Sequence, residues 1–226
     1  GGVALAVACL HRGIPFSLYE RDSGFDTRSQ GYGLTLQQAS RAIEGLGIFS
    51  LQEGVISTRH VVHTTDGKVI GDWGVRGLEP SAAFIPPKRT NVHIARQSLR
   101  SALLEQLGGH DAVQWGHQLV DLKDSDEECE GVDLSFQLEG EGKVKCAKAD
   151  LVVGADGIRS SVRKLLIGEE AVPLRYLGCI VILGICPLVD LEENLAGGVL
   201  KNKPLLDPLL DPLLDSATVF QTANGN

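Results

Sequence analysis

Residues 149–168, ADLVVGADGIRSSVRKLLIG, constrain the fold more than any other stretch of this chain. An apolar run (Leu151, Val152, Val153) enters the turn Gly154-Ala155-Asp156-Gly157, and a helix follows with Ser160 as its cap and Gly168 as its stop. Read as a buried strand over 149–153, a turn, and a helix over 160–167, this is the strand–turn–helix step of an α/β sheet. It brings Asp156 and Gly157 to the carboxyl edge, where such sheets bind ligands. The same aspartate also reads as an ordinary turn residue that stabilises the loop by accepting backbone N–H bonds.

The first thirteen residues, GGVALAVACLHRG, predict a helix entered from glycine and left through Gly13, with His11 and Arg12 in its last turn. Its small apolar residues suit close packing on a sheet. Dinucleotide-binding units use G-x-G-x-x-G at such a helix start, because glycine lets the backbone approach a pyrophosphate and the free N–H groups favour anions. Here Gly1 and Gly2 stand where the end of that motif would be, or at a plain helix start. A short strand over 16–20 follows and ends in Glu20, a carboxylate placed to accept ribose hydroxyls.

Further along, residues 21–36 read as a loop and 37–46 as a helix ended by Gly47. Residues 55–73 alternate like two strands around Thr65-Asp66-Gly67. His93 to Leu107, HIARQSLRSALLEQL, is a strand running straight into an amphipathic helix, with Arg96 at the junction. That arginine either holds a phosphate or ribose by its fork geometry or is a solvated helix-end charge. Residues 118–146 read as two or three antiparallel strands joined by acidic loops. Three tandem Pro-Leu-Leu-Asp units fill 204–215, where a proline every fourth residue forbids helix and ladder alike. They read as an exposed loop expansion or a partner-binding segment.

Composition removes several classes. With 21 basic and 29 acidic residues the net charge is −8, so nucleic acid is not an expected partner, nor is an anionic membrane surface. The longest apolar run, residues 177–189, is short of the roughly 20 residues a spanning helix needs, so no transmembrane segment is expected. Five cysteines, Cys9, Cys129, Cys146, Cys179 and Cys186, are scattered without a C-x-x-C pair, which suggests reduced thiols and an intracellular, cytoplasmic location. His60 and His63 would lie on opposite faces of a strand, so no metal site is expected.

Taken in order, the glycine-led helix, the strand ending in Glu20-Arg21, the GYGLTLQQ loop (31–38), the Arg96 helix and VVGADGIRSSVR resemble the flavoprotein monooxygenases of the para-hydroxybenzoate hydroxylase class, the group A aromatic hydroxylases. The resemblance runs to about residue 189, and the Ala-Asp-Gly segment is its most specific part. It implies that Gly1 and Gly2 end the FAD-binding glycine motif and that Glu20, with Arg21 beside it, holds the adenosine ribose. It implies further that Arg96 lies along the cofactor, and that Asp156 and Gly157 form the Asp-Gly motif that touches FAD and bears on NAD(P)H use. Arg28 matches a loop arginine near the cofactor.

The fold so implied is α/β: a Rossmann-like FAD-binding domain over 1–172, interrupted by a β-meander, and the start of a β-rich substrate-binding sheet over 173–226. The family's first strand, its first glycines and its later Gly-Asp motif are not found, so the chain is expected to be an internal fragment. The activity implied is hydroxylation of an aromatic or similar small molecule by O₂, with NAD(P)H reducing FAD. No side chain is assigned an acid–base role. Two other readings stay open: a non-catalytic fragment, and a flavin-dependent reductase or dehydrogenase on the same cofactor fold.

Overall fold

The computed structural model describes residues 1–27, 32–66, 68–73, 92–125, 131–140, 142–178 and 180, together with the backbone of 74 and of 218–222. The chain divides into two compact units that interleave in sequence. The first comprises Gly1–Gln30, Leu46–Ile48 and Leu99–Ile182; the second comprises Gly31–Gly45, Phe49–Ser98 and Leu183–Asn226.

The first unit opens with α1 (Gly2–His11), which buries Ala6 and Val7. The helix stops as the sequence suggests: Gly13 takes φ +64°, and its N–H reaches the Leu10 carbonyl at 3.1 Å. After Pro15 the chain turns into β1 (Leu18–Tyr19), which pairs in parallel with β7 (Val113–Gln114). Only these two residues form the strand, although the Glu20 N–H continues the ladder to the Gln114 carbonyl at 3.0 Å. Tyr19 stacks on Phe136 at 4.3 Å between ring centroids, so β1 rests on the next sheet.

That sheet is a meander of β8 (His117–Asp124), β9 (Val132–Leu138) and β10 (Val144–Ala149), antiparallel in the order β10-β9-β8. It confirms the three-strand version of the sequence reading. Leu134 and Phe136 alternate into its buried face, as period-two patterning requires. Gly116, at φ +71°, makes the turn from β7 to β8, and its N–H donates to the Asp22 carbonyl at 2.8 Å. The core of this unit is Val7, Leu103, Leu104 and Val113 with the two β9 residues. Leu103 and Leu104 belong to α3 (Arg96–Glu105), whose end is marked by Gly108 and Gly109, both at positive φ.

The 149–168 stretch departs from expectation in its first half. Ala149 ends β10, and residues 150–157 run without strand pairing, so the buried strand over 149–153 is not formed. Leu151 and Val153 are 78% and 56% exposed. A strand is buried only where a neighbouring ladder covers it, and none of the described residues pairs with this one. The second half is as expected: α4 (Ser161–Ile167) is capped by Ser160, whose hydroxyl accepts from the Arg163 N–H at 3.0 Å, and Gly168 ends it at φ +81°.

The second unit holds α2 (Ala39–Gly45) and two three-stranded sheets. In one, β2 (Gly33–Thr35) and β3 (Val55–Ile56) flank β6 (Val92–Ala95). In the other, β4 (Arg59–His63) lies between β5 (Val69–Gly74) and β11 (Thr218–Thr222). The two strands expected between 55 and 73 are therefore three. Val55 and Ile56 pair with β6, whereas β4 pairs with β5, so the chain changes sheets at Ser57 and Thr58. Leu36, Ile43, Val61 and Ile94 form this unit's core. Arg28 and the Pro-Leu-Leu-Asp units lie outside the described residues.

Candidate functional site

Three of the predicted segments meet in the first unit. A methyl group added to Gly2 would touch the Ala155 side chain at 3.4 Å and Leu18 at 3.5 Å, and one added to Gly1 would touch Ala155 at 3.7 Å. The start of α1 thus lies against both the Ala155-Asp156-Gly157 turn and β1. Glu20 stands just past the end of β1, the strand against which the helix start packs at Leu18. The helix start carries neither a side-chain cap nor an acidic residue in its first turn. Its leading N–H groups precede the first intrahelical bond, from Leu5 N–H to the Gly1 carbonyl at 3.0 Å, and favour an anion.

Glu20 is fixed from two sides. Its Oε1 accepts from the N–H groups of Arg21 at 2.9 Å and Asp22 at 3.3 Å, closing a local turn. Its Oε2 faces the Arg100 guanidinium at 3.6 Å. A carboxylate offers about four acceptor sites, so these donors leave room for a hydroxyl of a bound molecule. Arg21 points elsewhere, pairing loosely with Asp22 at 3.9 Å. Both line a polar cleft of about 340 Å³ with Thr27, Gln118, Gln137 and Glu139.

Asp156 is occupied with its own helix. Its Oδ2 accepts from the N–H groups of Ser161 at 2.6 Å and Val162 at 3.1 Å. Burial pushes its carboxyl up, but hydrogen bonds from Ser160 and from the Val162, Asp156 and Ser161 backbones outweigh that and hold it below its ordinary value. With Ser160 serving Arg163, the donors opening α4 are all satisfied by side chains. Gly157, at φ +79°, makes the turn possible. Ile158 then borders an open apolar cleft of about 740 Å³ formed with Val172, Leu174 and Tyr176.

Arg96 belongs to the second unit and is held there by Tyr32, which directly precedes β2, the strand that replaces part of the loop expected over 21–36. Its Nη1 donates to the Tyr32 hydroxyl at 2.7 Å, and its guanidinium lies 5.3 Å from that ring's centroid. Its backbone N–H also donates to the Tyr32 carbonyl at 3.3 Å. The junction residue and Tyr32 are thus partners, a pairing that the sequence pattern does not announce.

The residue that sequence reasoning passed over is Arg100. Besides Glu20, it lies over the rings of Phe25 and Trp115, 5.2 Å from each centroid. These partners lie on two stretches far from Arg100 in the chain, so no local spacing announces them. Among the described residues no group of three or more His, Cys, Asp or Glu could hold a metal ion. Among the same residues no helix is long and apolar enough to cross a membrane.

No protein-family model matches the chain. Curated relatives do. The FAD-dependent monooxygenase dbaB of Emericella nidulans is 30% identical over 183 residues, which cover 78% of this chain and 44% of the relative. The chain is a relative of the FAD-dependent monooxygenases. Another, thnD of Trichoderma harzianum, is 26% identical over 75% of this chain and 39% of its own length. The zeaxanthin epoxidase of Oryza sativa subsp. japonica is 28% identical over 75% of this chain and 25% of its own length.

The chain thus spans about two fifths of the length of the FAD-dependent monooxygenases named here. Its fold is theirs in kind: it superposes on the flavin-dependent monooxygenase PieE, solved with FAD and substrate, with a TM-score of 0.55 at 22% identity, over 73% of this chain and 30% of PieE. On 2,6-dihydroxypyridine-3-hydroxylase of Arthrobacter nicotinovorans the TM-score is 0.56 at 23% identity, over 74% and 37% of the two chains. FAD is named as the cofactor of the dbaB and thnD monooxygenases.

Proposed function

We propose that the chain is the FAD-binding portion of a monooxygenase that uses NAD(P)H and O₂ to hydroxylate an aromatic or similar small organic substrate. The observation that carries this reading is the meeting of an uncapped helix start with the Asp156 turn and with β1, the strand that Glu20 directly follows. The residues fit the cofactor. At Gly1 and Gly2 the absence of side chains lets the start of α1 pack close against Ala155 and Leu18, and the free helix N–H groups would favour the charge of a pyrophosphate. Glu20, held rigid by its own turn, accepts from ribose hydroxyls. Arg21 and the cleft beside it lie next to the same adenosine moiety. For Arg28 and Arg96 a cofactor role is what the family resemblance implies.

Asp156 acts through structure. By capping α4 it fixes the backbone of Ala155, Asp156 and Gly157, and Gly157 leaves that backbone accessible to the flavin side of the cofactor. Once bound, FAD supplies the redox chemistry, taking reducing equivalents from NAD(P)H and activating O₂. The chain's part is to bind it, orient it and exclude water. The open apolar cleft at Ile158, Val172 and Leu174 suits a small apolar substrate group. The scattered cysteines, of which Cys9 and Cys146 are free thiols, favour a cytoplasmic location.

The test is turnover of the full-length protein with NAD(P)H, aromatic substrates and isotopically labelled O₂. Labelled oxygen in the product supports the reading. NAD(P)H consumption that leaves every product unlabelled makes the protein a flavin reductase instead.

A further inference from the structure

We propose that Arg100 is the positioning residue for Glu20, and that this ion pair selects the adenosine-bearing flavin, FAD, over flavins that lack adenosine. This rests on the reading of Glu20 as the ribose acceptor and adds a residue that the motif does not contain. The side chain of Arg100 is only 24% exposed. Its guanidinium lies over two aromatic rings, Phe25 and Trp115, at 5.2 Å each. Those rings are themselves held. The Trp115 indole N–H donates to the His110 carbonyl at 2.9 Å, and Phe25 stacks on the His110 imidazole at 4.2 Å. A cation so placed loses little rotamer freedom when it meets a carboxylate, and the carboxylate it meets is Glu20 at 3.6 Å.

The consequence is geometric. Oε1 of Glu20 is pinned by the Arg21 and Asp22 N–H groups, so only rotation of the carboxyl could move Oε2. Arg100 stops that rotation. It draws charge toward Oε2 without filling both of that oxygen's acceptor sites. A vicinal diol needs a carboxylate of fixed orientation, and a ligand without the ribose gains nothing from the arrangement. Structural support alone would be indifferent to the ligand. A positioning role shows itself in the difference between two flavins.

The experiment titrates the full-length protein, by absorbance and fluorescence, with FAD and separately with FMN. It compares the wild type with Arg100→Gln, Arg100→Lys, Glu20→Gln and the double variant Glu20→Gln/Arg100→Gln. Arg100→Gln is expected to raise the Kd for FAD about tenfold and that for FMN by less than about twofold. Arg100→Lys, which keeps the charge, is expected to recover part of the loss. The double variant is expected to bind FAD no more weakly than Glu20→Gln alone, because the two residues act as one unit. Equal losses for FAD and FMN, or additive losses in the double variant, would overturn the proposal while leaving the FAD reading intact. No FAD binding by the wild type would overturn both.

Discussion

Replacing Asp156 with alanine should loosen the first turn of α4 without opening a cavity. The carboxylate takes two backbone N–H groups, Ser161 at 2.6 Å and Val162 at 3.1 Å. Losing a helix cap costs about 0.5–2 kcal/mol, and a charged acceptor serving two donors belongs in the upper half of that range. The residue is exposed, so water takes over part of the bonding and the estimate stays near 1–2 kcal/mol. By amide hydrogen exchange, that means roughly 5- to 30-fold faster exchange at Ser161 and Val162. The Arg163 amide, held by the Ser160 hydroxyl at 3.0 Å, is the internal control and should change much less.

Asp156→Asn keeps an oxygen at the same place but drops the charge beside the helix start, so it should cost only about 0.3–1 kcal/mol. The pH dependence has a definite sign. The folded carboxyl lies below its ordinary value, so its contribution is full above that value and is lost as pH falls through the lower, folded one. Unchanged exchange at Ser161 and Val162 in Asp156→Ala would refute the capping role and return the aspartate to direct contact with the cofactor.

Two further outcomes follow from the cores of the two units. Leu104 is fully buried in the first, and Leu104→Ala should lower stability by about 2–5 kcal/mol, read from the urea midpoint. His93 in the second is held below its ordinary value by burial, with the His60 charge adding to it. The unfolded chain therefore gains a proton first as pH falls below about 6.5, and stability should decline there until the folded value is crossed. His93→Gln should flatten that slope in urea melts taken across this range; an unchanged slope would assign the effect to another group.

What was legible in the sequence is local. The glycine stop after α1, the Ser160 cap, the Gly168 stop and the three strands of the meander each follow from residues within a few positions of one another. Asp156 was legible as a turn residue of either kind, and the structure gives its capping partners. The strand over 149–153 was misread because hydrophobicity reports a wish for burial, while pairing depends on a neighbour the local pattern does not specify. Residues 55–56 were joined to the following strand because alternation cannot show a change of sheet. Arg100 was invisible for a third reason: Glu20, Phe25 and Trp115 come to it from distant segments, and its own position on α3 reads only as a polar-face charge. Arg96 with Tyr32 is a similar case, since the two are far apart in the chain and nothing local to either announces the pairing.

The central claim is that this chain holds FAD through Glu20 and the glycine-led helix. The measurement that tests it most directly is an absorbance-monitored FAD titration of the purified full-length protein beside its Glu20→Gln variant. The account predicts saturable one-to-one binding by the wild type and about tenfold weaker binding by the variant, because a neutral amide is a poorer acceptor for ribose hydroxyls. A wild-type protein that stays colourless, or a variant that binds FAD as tightly as the wild type, would contradict it.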